Sequence, residues 1–408
     1  MMTSTKGLDP KGLTYLEGEG FPRGLIDAMV ALKKDCAEQI FVIDNSEPMN
    51  QPDGHILSKT NTSDGNKLCF EKATRWEELK MCVKSHIQIA GALKIPASFR
   101  LLNTATDGAH VDGQEFSIGQ GKGGVYDVDT EVQTALEIMD KIKPHSRSPL
   151  TKSILQLLRD IESRKEEIKK RGKHVSVVLC TDGVPSDSTR EFLVDQLKKI
   201  LGESLPVHMV VRLCTDEPSV VDFYNDLDKD LNIRLDVLDD FQGEALEICK
   251  INPWLTYSLP LHRAREMGFN SPCLDNLDEG PLSKTDQKEL CDLLFGKDKM
   301  YLSPSPELDP EGFLDHVKTL QQDQTEQWVR TINQSEQHRQ CGAFVCTDKH
   351  ANNQSFLRHY RQDPIMEETK PWIDVDLVKN PKEKMAKMRR ITQKKKGKWF
   401  AGVLGIKR

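Results

Sequence analysis

No apolar stretch in this sequence approaches the roughly 18 to 20 residues that a membrane-crossing helix needs. The opening segment Met1-Met2-Thr3-Ser4-Thr5-Lys6-Gly7 lacks the apolar core of a signal peptide. Paired cysteine spacing is missing too: the ten cysteines are scattered, and Cys82, Cys180, Cys214, Cys249 and Cys291 sit inside apolar runs, as small buried hydrophobes do. These absences predict a cytoplasmic protein, with the nucleus as the alternative, whose thiols stay reduced. They also leave the Asn-x-Ser sequences at Asn61, Asn333 and Asn353 without a glycosylation role. There is no internal repeat, no Gly-x-Ser-x-Gly nucleophile elbow and no Cys/His pair in a recognisable local context, which removes the common nucleophilic hydrolases from consideration.

What is there is an ordinary globular composition, 29% charged and 37% hydrophobic over 408 residues, enough for one large domain with an appendage. Charge is unevenly placed. Lys382 to Arg408 holds eleven Lys or Arg against the single acid Glu383, so the body of the chain is acidic and its end basic. The expected organisation is an extension over 1–20, a main domain over 21–250, an accessory region over 251–380 and a basic tail over 381–408.

Periodicity fills in the main domain. Gly24 to Cys36 reads as an amphipathic helix leading into a strand at Gln39 to Ile43, followed by a polar, turn-rich insert containing Pro52-Asp53-Gly54 and Ser63-Asp64-Gly65. Thr74-Arg75-Trp76-Glu77 is a capping box that opens a helix with Trp76, Leu79, Val83, Ile87 and Ala90 on one face. Strands are expected at Ser98 to Leu102, Glu115 to Ile118, Val175 to Cys180, Pro206 to Leu213 and Arg234 to Leu238. Helices are expected at Asp129 to Ile142, Leu150 to Lys170 (stopped by Gly172), from a second capping box Ser188-Thr189-Arg190-Glu191 to Gly202, and at Ser219 to Leu231. Strands alternating with helices predict an α/β, doubly wound, mostly parallel sheet with helices on both faces, plus a smaller, mainly helical C-terminal region. In that region Glu244 to Ile251 and Pro310 to Asn333 read as helices, Ala343 to Thr347 as a strand and Ser271 to Ser283 as a turn-rich connector.

Three short pieces carry oxygen ligands. Asp44-Asn45-Ser46-Glu47-Pro48 follows the apolar run Ile40 to Ile43, Ser148-Pro149-Leu150-Thr151 opens a helix, and Thr181-Asp182-Gly183 ends another apolar run. If the segment after Ile43 stays extended, Asp44, Ser46 and position 48 point the same way. Ser148 would add a hydroxyl and Asp182 a second carboxylate, a donor set suited to a hard cation such as Mg²⁺ or Mn²⁺. In such a sheet the site lies at the carboxyl ends of the strands, where Asp44 and Asp182 both fall.

These pieces, in this order, resemble the von Willebrand factor A-type domain, whose metal-ion-dependent adhesion site reads D-x-S-x-S, then Thr, then a T-D-G-like Asp. Asp44 and Ser46 match the first two positions, Pro48 replaces the second serine, Ser148 stands in for the Thr, and Asp182 matches. The resemblance covers residues 21 to about 250. It implies a metal site of Asp44, Ser46, Ser148 and Asp182, completed by a carboxylate from a protein partner, and hence a non-enzymatic interaction or scaffold protein.

Competing readings come from the same residues. A Mg²⁺-dependent aspartate-nucleophile phosphohydrolase also puts an Asp at the end of an early strand and can use an Asp-Asp pair such as Asp239-Asp240, but it needs a second acid two residues on, where this chain has Ser46. A scaffold whose metal site has decayed at Pro48 is the third. The tail interleaves Trp399, Phe400, Val403, Leu404 and Ile406 with Lys394-Lys395-Lys396 and Lys398, which suits an anionic membrane surface or nucleic acid as well as a solvated end. The Gly119 to Gly124 run lacks the Ser/Thr of a phosphate loop, and His338, Cys341, Cys346 and His350 have only loosely zinc-like spacing.

Overall fold

The structure, a computed structural model, describes residues 8–62, 65–105, 114–119, 127–202, 204–215, 217–231, 235–269, 271–338, 362–363, 368–369 and 371–379. Helices α1 (Pro10–Gly18) and α2 (Arg23–Asp35) lead into strand β1 (Cys36–Ile43). The segment expected as a polar insert is instead an antiparallel hairpin, β2 (Gly54–Thr62) and β3 (Gly65–Ala73). Its Asn, Ser, Lys and Gly content conceals the strands, because cross-strand backbone pairing is indifferent to side-chain polarity. Helix α3 (Arg75–Leu93) follows, opened by the expected capping box of Thr74 and Glu77.

Next come β4 (Ala97–Leu101), β5 (Glu115–Ile118), α4 (Val128–Lys141), α5 (Leu150–Lys170) and β6 (His174–Thr181). After these, α6 (Arg190–Leu201), β7 (Val207–Leu213), α7 (Pro218–Leu231) and β8 (Leu235–Leu238) complete the alternation. Helix α6 is capped by Thr189, whose hydroxyl accepts from the Phe192 N–H, one residue later than the capping box expected at Ser188. Ser188 is drawn away by its contact with the Thr151 hydroxyl.

The main sheet runs β5-β4-β1-β6-β7-β8, parallel throughout except for the antiparallel edge strand β5. It is therefore a doubly wound, mostly parallel sheet. The direction of winding reverses between β1 and β6, the position at which such sheets open a crevice beyond their carboxyl ends. Alternation along the strands sorts the core: Phe41, Ile43, Phe99 and Val178 join α3 and α4 on one face, while Ile40, Val42, Val177 and Met209 join α5, α6 and α7 on the other.

The remaining helices are α8 (Phe241–Ile251), α9 (Leu259–Glu266), α10 (Pro272–Glu279), α11 (Lys284–Phe295), α12 (Lys297–Met300) and α13 (Pro310–His338). Helix α10 occupies the expected connector, with Ser271 at its cap and Pro272 in its first turn, a start signal hidden among turn residues. A third cluster joins Leu16, Phe21, Leu25 and Met29 to Leu261, Leu290, Phe313, Trp372 and Ile373, crossing the boundaries expected at 20 and 250. Two polar strand residues seat this region on the sheet: Gln39 and Ser176 both donate to the Met267 carbonyl, at 3.1 and 3.0 Å. Glycine is required next door, because Gly268 has φ +77° and its missing Cβ would lie 2.7 Å from the Ser176 hydroxyl. Near the chain's end, the Thr256 N–H donates to the Trp372 carbonyl, and the Gln321 amide both donates to and accepts from the Ile373 backbone.

The strand expected at Ala343 to Thr347, the residues Cys341, Cys346 and His350, and the basic tail lie outside the described residues. The described cysteines expected in apolar surroundings, Cys82, Cys180, Cys214, Cys249 and Cys291, are buried. Among the described residues no helix is long and apolar enough to cross a membrane.

Candidate functional site at the strand ends

The register of β1 against β6 pairs Ile43 with Cys180, so the residues that follow, Asp44 and Thr181-Asp182, leave the sheet side by side. Asp44 is fully buried and held from three directions. One carboxylate oxygen accepts from the Ser46 N–H at 3.0 Å, and the other accepts from the hydroxyls of Ser148 and Thr181, each at 3.0 Å. Burial pushes the Asp44 carboxyl above its ordinary range, while these bonds pull it back.

Ser148 reaches Asp44 because two asparagines tie three loops together. Asn45 and Asn103 exchange bonds, the Asn45 side chain donating to the Asn103 carbonyl at 3.1 Å and accepting from its N–H at 2.8 Å. The Asn103 amide also donates to the carbonyls of His145 and Arg147. From the far side, Ser186 donates through its N–H and its hydroxyl to the Ser148 carbonyl, and Asp187 accepts from the N–H groups of Thr151 and Lys152 at the start of α5. Asp187 thereby caps a helix whose own preceding residue, Pro149, supplies no side-chain cap.

The extended path expected from Asp44 to position 48 ends at Ser46. Glu47–Asn50 is a 3-10 helix with Pro48 in its first turn, where the fixed φ of proline favours a helical start. Pro48 thus redirects the loop in addition to removing a hydroxyl. Ser46 itself is fully buried, and its hydroxyl lies close enough to the Asp44 carboxylate to favour its charged form without reaching good hydrogen-bond geometry.

Asp182 is buried and its carboxyl is pushed up to about 6, first by burial and then by the nearby Asp44 carboxylate. The opposing influence is Arg75, whose guanidinium donates to Asp182 at 3.0 Å and, through two further nitrogens, to both oxygens of Asp53 at 2.7 Å. One guanidinium therefore bridges Asp182 at the strand ends and Asp53 at the base of the hairpin. Arg75, Asp53 and Thr181 are the functional-site residues that motif reading missed. Thr181 lies beside Asp182 in the Thr-Asp-Gly piece, whereas Arg75 shows in the sequence only as part of a helix cap.

The donors fit a hard divalent cation: the buried carboxylates of Asp44 and Asp182, with the hydroxyls of Ser46, Ser148 and Thr181 around the first. The Asp239-Asp240 pair lies elsewhere, Asp240 accepting from Gly243 and pairing with His55. No protein-family model and no curated protein matches this chain.

Proposed function

We propose that the crevice between β1 and β6 is a divalent-metal site of the von Willebrand factor A type, used to engage an acidic group of a protein partner, and that the protein is a non-enzymatic interaction or scaffold module. Asp44, Ser46, Ser148 and Asp182 would hold Mg²⁺ or Mn²⁺, which would supply a Lewis-acidic contact for a partner carboxylate. The observation that carries this reading is the convergence of the Ser46 N–H and the Ser148 and Thr181 hydroxyls on the buried Asp44, beside an Asp182 carboxyl raised by burial and then by Asp44. Neither Ser46 nor any group bonded to Asp44 can serve as the acid two residues after a phosphohydrolase nucleophile, which argues against the hydrolase.

A second reading has a specific observation behind it: with Arg75 on Asp182, the guanidinium serves as the resident cation and the scaffold works without metal. Titration with Mg²⁺ and Mn²⁺ by calorimetry separates the two. Heat of binding that disappears in Asp44→Asn supports the metal module, and silence at millimolar metal supports the metal-free scaffold. Recovery of a partner from lysate with and without chelator then tests metal dependence, and turnover of a phosphate ester with Mg²⁺ tests the hydrolase. The basic tail is proposed to add an anionic membrane or nucleic-acid contact.

A further inference from the structure

A second constellation lies around His55, near the start of strand β2 at the base of the hairpin. The imidazole Nδ1 is 3.0 Å from Asp240 Oδ2, and the His55 N–H donates to Glu78 Oε2 at 2.7 Å. One ligand atom from each of His55, Glu78 and Asp240 can be chosen so that all three lie within 4.8 Å of one another. The carboxylates keep their other oxygens occupied: Glu78 Oε1 pairs with Arg212, and Asp240 Oδ1 accepts from the Gly243 N–H at 2.6 Å. Such outer bonds fix the orientation of each carboxylate and leave Asp240 Oδ2 and the second lone pair of Glu78 Oε2, whose first accepts the His55 N–H, to bind. Burial and the facing Asp240 carboxylate hold the Glu78 carboxyl above its ordinary range despite the pull of Arg212.

We propose that His55, Glu78 and Asp240 form a second divalent-cation site, of the zinc class, separate from the Asp44 crevice. One imidazole and two carboxylates suit a borderline cation better than Mg²⁺, which prefers an all-oxygen shell. Three protein ligands with the His55 side chain still 25% exposed leave a fourth position for water or an outside ligand. Binding takes the Nδ1 lone pair, and the proton now shared with Asp240 leaves for solvent or moves to Nε2. The cation would join the hairpin and the adjoining α3 to the start of α8, 185 residues beyond His55. The nearby Cys82, His86 and Glu266 group is a poorer candidate, since all three residues are fully enclosed and both Glu266 oxygens are taken, one by Cys82 and His262 and the other by His86 and Arg263.

The test is calorimetric titration of the full chain with ZnCl₂, in parallel with His55→Gln, Asp240→Asn and Asp44→Asn. Asn at 240 retains the helix cap and removes only the charge. The expected result is one zinc equivalent lost, or affinity lower by on the order of 100-fold, in His55→Gln and Asp240→Asn while circular dichroism shows both folded. Asp44→Asn should retain zinc whether or not it loses Mg²⁺, which separates this site from the strand-end proposal. Substitution with Co²⁺ should give visible absorption bands that disappear in His55→Gln. Equal zinc stoichiometry and affinity in wild type and both variants, or no zinc binding by the wild type at sub-millimolar metal, overturns the proposal and leaves a structural ion pair.

Discussion

Replacing Arg75 by Gln should weaken the empty protein and strengthen its hold on metal. Arg75 is buried, and its three bonds go to the buried Asp182 and to Asp53, whose side chain is 42% exposed. Breaking a buried ion pair costs about 3–5 kcal/mol; the exposed Asp53 arm and the readiness of Asp182 to take a proton reduce this to about 2 kcal/mol. The same removal deletes a positive charge from beside the proposed cation. A guanidinium about 6 Å from a doubly charged ion in an effective dielectric of about 20 contributes about 5–6 kcal/mol of repulsion, of which relaxation and solvent screening leave roughly a quarter. Mg²⁺ should thus bind Arg75→Gln roughly tenfold more tightly than wild type, with a correspondingly larger rise in melting temperature on adding metal. Thermal unfolding across a Mg²⁺ series, with calorimetry for the affinity, measures both effects. A destabilised variant whose Mg²⁺ affinity is unchanged or weaker refutes the competition between guanidinium and metal.

Asp44→Asn should abolish the Mg²⁺-dependent gain in melting temperature while the chain remains folded by circular dichroism, because the amide retains the carboxylate's shape. Pro48→Ser restores a hydroxyl but also frees the backbone of the 3-10 turn, so tighter Mg²⁺ binding by calorimetry is expected only if the Ser46 loop keeps its path. His174, stacked on His208 at a ring-centroid distance of 4.2 Å, is depressed to about 4 by burial and then by its neighbour. Its unfolded form takes a proton first, so stability present above about pH 6.5 is lost as pH falls toward 4, by about 1–2 kcal/mol after allowing for partial exposure. Urea unfolding of His174→Gln at several pH values should show that slope reduced. Ending the chain at Pro381 should abolish co-sedimentation with anionic vesicles and leave neutral-vesicle binding unchanged; equal sedimentation of both chains removes the membrane role.

The α/β alternation was legible because apolar period survives in sequence: the expected bounds of α5, Leu150 to Lys170, are those observed, and β5 falls on Glu115–Ile118 as expected. The hairpin at Gly54–Ala73 was not, since its pairing resides in the backbone while its side chains read as loop. At the site, Asp44 and Ser148 announce themselves through short motifs and meet at 3.0 Å. The asparagine clamp of Asn45 and Asn103 and the reach of Arg75 to Asp182 are made across 58 and 107 residues, and no local pattern encodes a partner that distant. The path through Pro48 failed for a nearer reason: strand geometry was carried one step beyond the strand.

The cluster that gathers Leu16 and Phe21 also needs Trp372, which is fully enclosed within it. During vectorial synthesis, the N-terminal helices emerge long before the residue that closes over them. At about 5–20 residues per second, the interval is on the order of tens of seconds, ample for the parallel sheet to form while this apolar surface is still exposed to solvent. The nascent chain therefore passes through a stage in which its main sheet is complete and this third cluster is not. Loss of Trp372 would prolong it indefinitely, turning a late folding event into a standing aggregation hazard.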